Sequence, residues 1–302
     1  MNLNALWSTL VESVEPLSYF ALDKALAELN LEPGDMTWLW AIALFDTEPF
    51  STEAYMRIRP YGSARVNEIR FASAVERNIL SVSMQNEYQA TKKGKDLIVE
   101  FMRTVDASIT HFQPIPNAKL QKFADHGKRI VEASLAAPEP PSKYGMLRYY
   151  KFVHPGEAAQ LLRLIWHHVV SLDQYRGAAH MASWERFNLK GYEWSTLTSI
   201  WRWEANTLDA LHKEMGESVF TQEEILEALR NLIQRGWIQE EAGAYQSTPE
   251  GGRIRQEAED ETDRMFFGPW ACLNQTELKE LSQLAGQLHD GLKKTYERQV
   301  GI

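Results

Sequence analysis

A chain of 302 residues with 44% apolar and 24% charged side chains can bury a large core and has the balance of a soluble globular protein. Its net charge of −9 opposes any whole-molecule attraction to phosphate, so nucleic-acid contact needs a local basic patch. The single cysteine, Cys272, excludes an internal disulfide and a multi-cysteine metal cage.

The start, MNLNALWSTLVESVEPL, lacks the positive opening and uninterrupted apolar core of a secretory signal. The longest apolar run, Met36 to Phe45, is too short to span a bilayer. A cytoplasmic protein without membrane contact is expected. Leu3, Leu6, Trp7, Leu10, Val11 and Val14 form a helical stripe that Glu15-Pro16 should interrupt, with helix resuming from Leu17 to Leu29. Met36 to Phe45 predicts a buried helix, and Ser51 opens a short one that Pro60-Tyr61-Gly62 stops. Ser63 should cap a helix over residues 64–77 with Val66, Ile69, Ala72 and Val75 inward. Two strands, 80–83 and 87–90, and a helix over 94–112 complete this first unit, residues 1–112. In residues 113–155, Pro114, Pro116, Pro138, Pro140 and Pro141 bracket one predicted helix, Leu120 to Ser134, and the stretch reads as a connector.

A second unit, residues 156–302, repeats the order. Helical patterns cover Leu161 to Trp166, Asp173 to Phe187, Trp194 to Trp203 and Asn206 to Met215, the last capped by Gly216. Thr221 to Arg235 and a ribbon turning at Ala242-Gly243 follow, then a helix over 252–265 and a last one over 274–298 with a capping box from Asn274 and Glu277. The likeness is literal in places. Phe71 to Leu80 (FASAVERNIL) aligns with Leu229 to Ile238 (LRNLIQRGWI) at an offset of 158, and YQATKKG with YQSTPEG at 157. Helix, two-stranded ribbon, helix is the back half of a winged helix-turn-helix, and two copies predict an internal duplication over residues 3–98 and 158–255.

The copies differ in charge. Residues 51–103 carry nine positive against six negative side chains; residues 201–264 carry seven against fifteen. Arg57, Arg59, Arg65, Arg70, Lys92 and Lys93 of the first copy are therefore candidate duplex contacts, with Arg65, Asn67 and Arg70 placed to reach base edges. In the second copy, Glu223, Glu224 and Glu227 occupy the recognition-helix position and would repel a phosphate backbone. Another constellation lies on Trp166 to Trp184. Asp173, Arg176, His180 and Trp184 share one helical face, with His167 and Tyr175 nearby. Carboxylate, guanidinium, imidazole and indole together suit an anionic or aromatic small molecule; the bland alternative is an Asp173–Arg176 ion pair and a packed histidine. No tight histidine spacing points to a metal, and no motif points to a cofactor or a catalytic nucleophile.

The helix end L-x-x-x-G-W-I and wing exit S-T-P-E-G-G within Leu226 to Ile254 resemble the MarR-like winged-helix regulators. Residues 166–180 and the run ETDRMFFGPWACL resemble an uncharacterised, mainly actinobacterial family with a degenerate winged helix. The MarR resemblance implies two-fold dimers that bind DNA, often with a phenolic ligand between dimerisation helices and reading heads. The expected fold is mainly α with small β-wings, two fused winged-helix repeats in a pseudo-two-fold, MarR-dimer-like arrangement. The expected function is small-molecule binding, as a ligand-responsive transcriptional regulator whose first repeat contacts DNA. The alternatives are an enzyme of specialised metabolism built around His180, Arg176 and Asp173, or an interaction scaffold. The chain is expected to work as a monomer or homodimer.

Overall fold

The computed structural model describes residues 1–46, 48–152, 154–156 and 159–300. The first helix, α1 (Leu3–Glu28), is continuous, where the sequence predicted a break at Pro16. Proline cannot donate to the carbonyl four residues back, which is that of Glu12. That carbonyl instead accepts a hydrogen bond from the His289 ring at 3.0 Å, supplied from the other end of the chain. Leu10 and Leu17, on either side of the proline, are both buried, so packing holds the helix straight through.

A 3₁₀ turn (Pro33–Asp35) leads into α2 (Met36–Phe45), buried on nearly every side as its composition predicts. Ser51 caps α3 (Thr52–Ile58), and α4 (Ala64–Glu76) follows. The inward face of α4 differs from the predicted one. Val66, Asn67, Phe71 and Ala74 are buried, whereas Ile69 is 59% exposed. Phe71, the bulkiest apolar side chain of this helix, sets the rotation by packing edge-on against Phe50 and Tyr55. Strands β1 (Leu80–Val82) and β2 (Tyr88–Ala90) pair antiparallel, and α5 (Lys92–Ile109) closes the unit.

Residues 113–155 form two helices, α6 (Asn117–Ala136) and α7 (Tyr144–Phe152), not the single one predicted. Leu120, Phe123, Ile130 and Val131 of α6 are fully buried, so much of the stretch read as a connector is core. In the C-terminal half come α8 (Leu161–Trp184), α9 (Gly191–Trp201), α10 (Leu208–Met215) and α11 (Gln222–Gln234). Strands β3 (Ile238–Glu241) and β4 (Ala244–Ser247) pair next, then α12 (Pro249–Phe267), a 3₁₀ turn (Gly268–Cys272) and α13 (Gln275–Val300). Here too the two predicted opening helices are one.

The halves share backbone particulars at a constant spacing. Asn30 and Asn188 both take left-handed conformations after the long first helix, as do Asn78 and Gly236 before each ribbon. Asp35 and Glu193 each accept the backbone N–H three residues earlier. Thr91 and Thr248 each cap the helix after the ribbon, and a Cβ at Gly94 or Gly251 would overlap the carbonyl oxygen of Ile79 or Trp237. Within each half the long first helix packs on the helix after the ribbon, α1 on α5 and α8 on α12. The following long helices cross over: α6 lies along α8, and α13 along α1. One core runs through α1, α2, α5, α6, α8 and α13, and a separate one fills the C-terminal head around Trp194, Leu197, Leu211 and Leu232.

Among the described residues, no helix is long and apolar enough to cross a membrane.

Candidate functional site

The two heads face each other. Arg65 donates from Nη2 to the Val219 carbonyl at 3.2 Å, and Gly191, at the start of α9, sits so tightly on Pro60 that a Cβ would overlap its carbonyl. Beside these contacts runs a groove of about 740 Å³, walled by Glu53, Arg57 and Arg65 on one side and Lys190, Glu224 and Glu227 on the other. The N-terminal ends of α4 and α11 therefore line one groove. A duplex read by two heads needs them about 34 Å apart, one helical turn.

The candidate duplex contacts scatter. Arg57 and Lys92 are exposed, paired along their own helices with Glu53 and Asp96. Lys93 donates to the Arg77 carbonyl, and Arg70 reaches inward to the Thr37 hydroxyl at 2.9 Å. Asn67 is buried with its amide on the Met56 sulfur, so it presents nothing to a base edge. The helix face that predicted otherwise took Ile69 as an inward residue. Arg59, at the end of α3, points away from the head into the interior, its guanidinium 4.4 Å from the Trp40 ring centre.

That arginine marks the most developed site. A cavity of about 260 Å³ lies among α1, α2, α5, α7 and α8, walled by Leu39, Trp40, Phe101, Tyr149, Trp166 and Val170. A second, of about 300 Å³, lies under the Arg59-Pro60-Tyr61 turn and is lined by Arg176, His180 and Gly145. Arg59, Asp173 and Gln174 line both, so these three side chains form the junction. Nε and Nη2 of Arg59 are buried without a hydrogen-bond partner. Asp173 opens on the cavities yet is surrounded by protein. The desolvation raises its pKa, against the pull of Arg59 and Arg176 in the opposite direction. The surrounding aromatics form a row: Trp40 stacks on Tyr149 at 5.4 Å, and Tyr149 on His167 at 5.6 Å. Burial pushes the Tyr149 hydroxyl up to about 12, so it stays a neutral phenol.

Of the six residues predicted for a ligand, the structure thus gathers Asp173, Arg176 and His180 on one cavity. Asp173 and Arg176 do not form the predicted local ion pair; Arg176 turns instead to Glu259 and Asp263, each at 3.8 Å. His180 is tied on both ring nitrogens. Trp194 Nε1–H can only donate, so His180 Nε2 must accept at 3.1 Å, which leaves Nδ1 to face Thr262 Oγ1 at 3.2 Å. Burial depresses its pKa, and the histidine is neutral with no free lone pair for a ligand. Trp184 donates to the Tyr61 hydroxyl at 2.8 Å and walls the inter-head groove. Tyr175 is core, its hydroxyl on the Glu139 carbonyl. His167 is buried between Tyr149 and Tyr150, away from the His180 cavity. Trp40, Tyr149 and Arg59 carry no sequence pattern that sets them apart, since each comes from a different helix. No group of three or more histidine, cysteine or carboxylate side chains that could hold a metal occurs among the described residues.

Residues 152–296, spanning α8 to α13 apart from the chain end, match the model of a helix-turn-helix family. The C-terminal half is a helix-turn-helix domain. It is the acidic half: α11, in the recognition position, exposes Glu223 and Glu227, while Glu224 is half-buried and accepts from the Thr221 backbone N–H to cap the helix. Arg230 of the same helix is paired to Glu223 at 3.0 Å. The domain's own core extends to Trp237 and Tyr245 of the ribbon, which fixes the wing to the helices. No curated protein and no solved structure matches the chain.

Proposed function

We propose that this protein binds a small organic molecule in the Arg59–Asp173 cavity, on a body made of two duplicated, MarR-like winged-helix units. The observation that carries the reading is the half-buried Arg59 at the mouth of an apolar cavity, with its Nε and Nη2 buried and without hydrogen-bond partners. A buried donor left unmade costs about 1–3 kcal/mol, more for a charged group, and a cavity with few convergent polar groups is the usual form of a ligand site. The duplication is supported by the matched backbone particulars of the two halves and by the crossed packing of α6 and α13. These helices begin at residues 117 and 275, so the offset of 158 extends beyond the ribbons. We therefore place α6 inside the first repeat, not in a connector.

Two substitutions test the cavity. Ala43 lines it from α2, and Ala43→Leu should fill it, leaving the melting temperature unchanged or slightly higher. Arg59→Gln should leave the ligand-free protein folded and close to wild-type stability, because the two buried donors it removes are unpaired while the stack on Trp40 is lost. Ala43→Leu should lose the thermal shift that a library of small aromatic compounds gives with the wild type, and Arg59→Gln should lose it for the anionic members of that library alone. A library hit that shifts wild type and Ala43→Leu equally would place binding elsewhere.

Exposed Arg57, Arg65, Lys92 and Lys93, on a unit we read as a repeat of the helix-turn-helix half, favour a second reading, duplex contact by the N-terminal head. It requires the Arg65–Val219 contact to open. Gel shifts at low salt should then show binding that Arg57→Ala with Arg65→Ala weakens and that Glu223→Ala does not, falling steeply with added salt. No binding by the wild type to a broad pool of duplexes would leave ligand binding as the function.

A further inference from the structure

The junction of the two cavities holds opposite charges that do not use each other. Asp173 makes no ion pair or hydrogen bond among the described residues. Arg59 has two buried nitrogens without partners, although each group lies close enough to influence the other electrostatically. The arginine is held back by its stack on Trp40, and Asp173 is fixed on α8. Asp173 is exposed where it faces the cavity and Arg59 is half-buried, so each is open to a charged group of one molecule that bridges them. The third wall is apolar and aromatic, reaching from Trp40 to Phe101 and Trp166.

We infer that the cavity recognises a zwitterion of amino-acid type with a bulky apolar body: its carboxylate on Arg59, its ammonium on Asp173, and its side chain in the aromatic lobe. Planar guanidinium against carboxylate gives paired, charge-assisted hydrogen bonds, and an ammonium supplies three donors to a carboxylate that has none. The inference rests on the ligand-binding reading above and specifies its substrate class. Gln174, the third junction residue, can serve either group.

The test is isothermal titration with four compounds sharing one body: tryptophan, tryptamine, indole-3-propionate and indole. Tryptophan should bind at least about tenfold more tightly than either singly charged analogue, one decade for each charge satisfied. Asp173→Asn should erase its advantage over indole-3-propionate, and Arg59→Gln its advantage over tryptamine; both replacements keep the fold testable by their own binding of indole. Equal affinity for tryptophan and indole-3-propionate, unchanged in Asp173→Asn, would overturn the zwitterion while leaving the cavity as a ligand site. Failure of all four compounds, indole included, with Ala43→Leu indistinguishable from wild type, would overturn both.

Discussion

Acidification from pH 6.5 to 4 is expected to cost the protein much of its stability. Two buried histidines and the half-buried His180 are held neutral by desolvation: His167 is pushed down to about 2, His168 to about 4, and His180 is likewise depressed. An unfolded chain takes up these protons as pH falls through about 6.5, whereas the native state does not until well below that. Above pH 6.5 both states are neutral and nothing changes. Below it, the unfolded state binds more protons, and each histidine removes up to about 1.4 kcal/mol per pH unit until its native pKa is reached. His168 and His180 stop contributing further near the low end of this window, and His167 continues below it. Set against a total stability of about 5–15 kcal/mol, the sum is enough to unfold the chain. Thermal melts between pH 7.5 and 4.5 should fall steeply. In His167→Phe they should fall less, because both nitrogens of His167 are buried without partners and a phenyl ring keeps the stack on Tyr149. A melting temperature flat across this range would contradict the burial of these rings.

The second large effect concerns the glycines that let each ribbon meet its helix. Gly94→Ala and Gly251→Ala should each destabilise by about 3 kcal/mol or more, since the new methyl overlaps a backbone carbonyl that cannot rotate away. Neither glycine has a positive φ, so the cost is one of space and not of backbone conformation. Similar costs at both sites are what the duplication predicts. Urea denaturation measures them, and a change under about 0.5 kcal/mol at either position would show that the helix can shift aside.

Which parts of this architecture the sequence reveals follows from how far each cause lies along the chain. The Ala242-Gly243 turn, the Gly216 cap and the Asn274–Glu277 capping box obey local rules, and the structure places each as expected. Pro16 misleads because the group that satisfies the Glu12 carbonyl sits 277 residues away. The rotation of α4 misleads because periodicity put Val66, Ile69, Ala72 and Val75 inward and left Phe71 off that face, and only tertiary packing shows that the ring decides. Helix α7 (YGMLRYYKF) has too little apolar periodicity to be seen among prolines, yet Met146 and Tyr149 are buried by it.

At the site, spacing on one helix brings Asp173, Arg176 and His180 together, and that much is local. Their opposite wall is not. Arg59 reads as one of several phosphate contacts until α3 is seen to aim it inward, and nothing near His180 in the sequence announces that Trp194 and Thr262 already occupy it. Charge composition fails for the same reason. A net positive stretch counts arginines without showing which are spent on the Thr37 hydroxyl, the Trp40 ring or the neighbouring head.

Occupation of the Arg59–Asp173 cavity by a small molecule is tested most directly in crystals soaked with small aromatic fragments. The expected result is density for a ring between Trp40 and Trp166, with a polar atom within hydrogen-bond reach of Arg59, lost in Ala43→Leu crystals. Fragments bound only in the groove between the heads, with the Arg59 cavity closed by its own side chains, would contradict it.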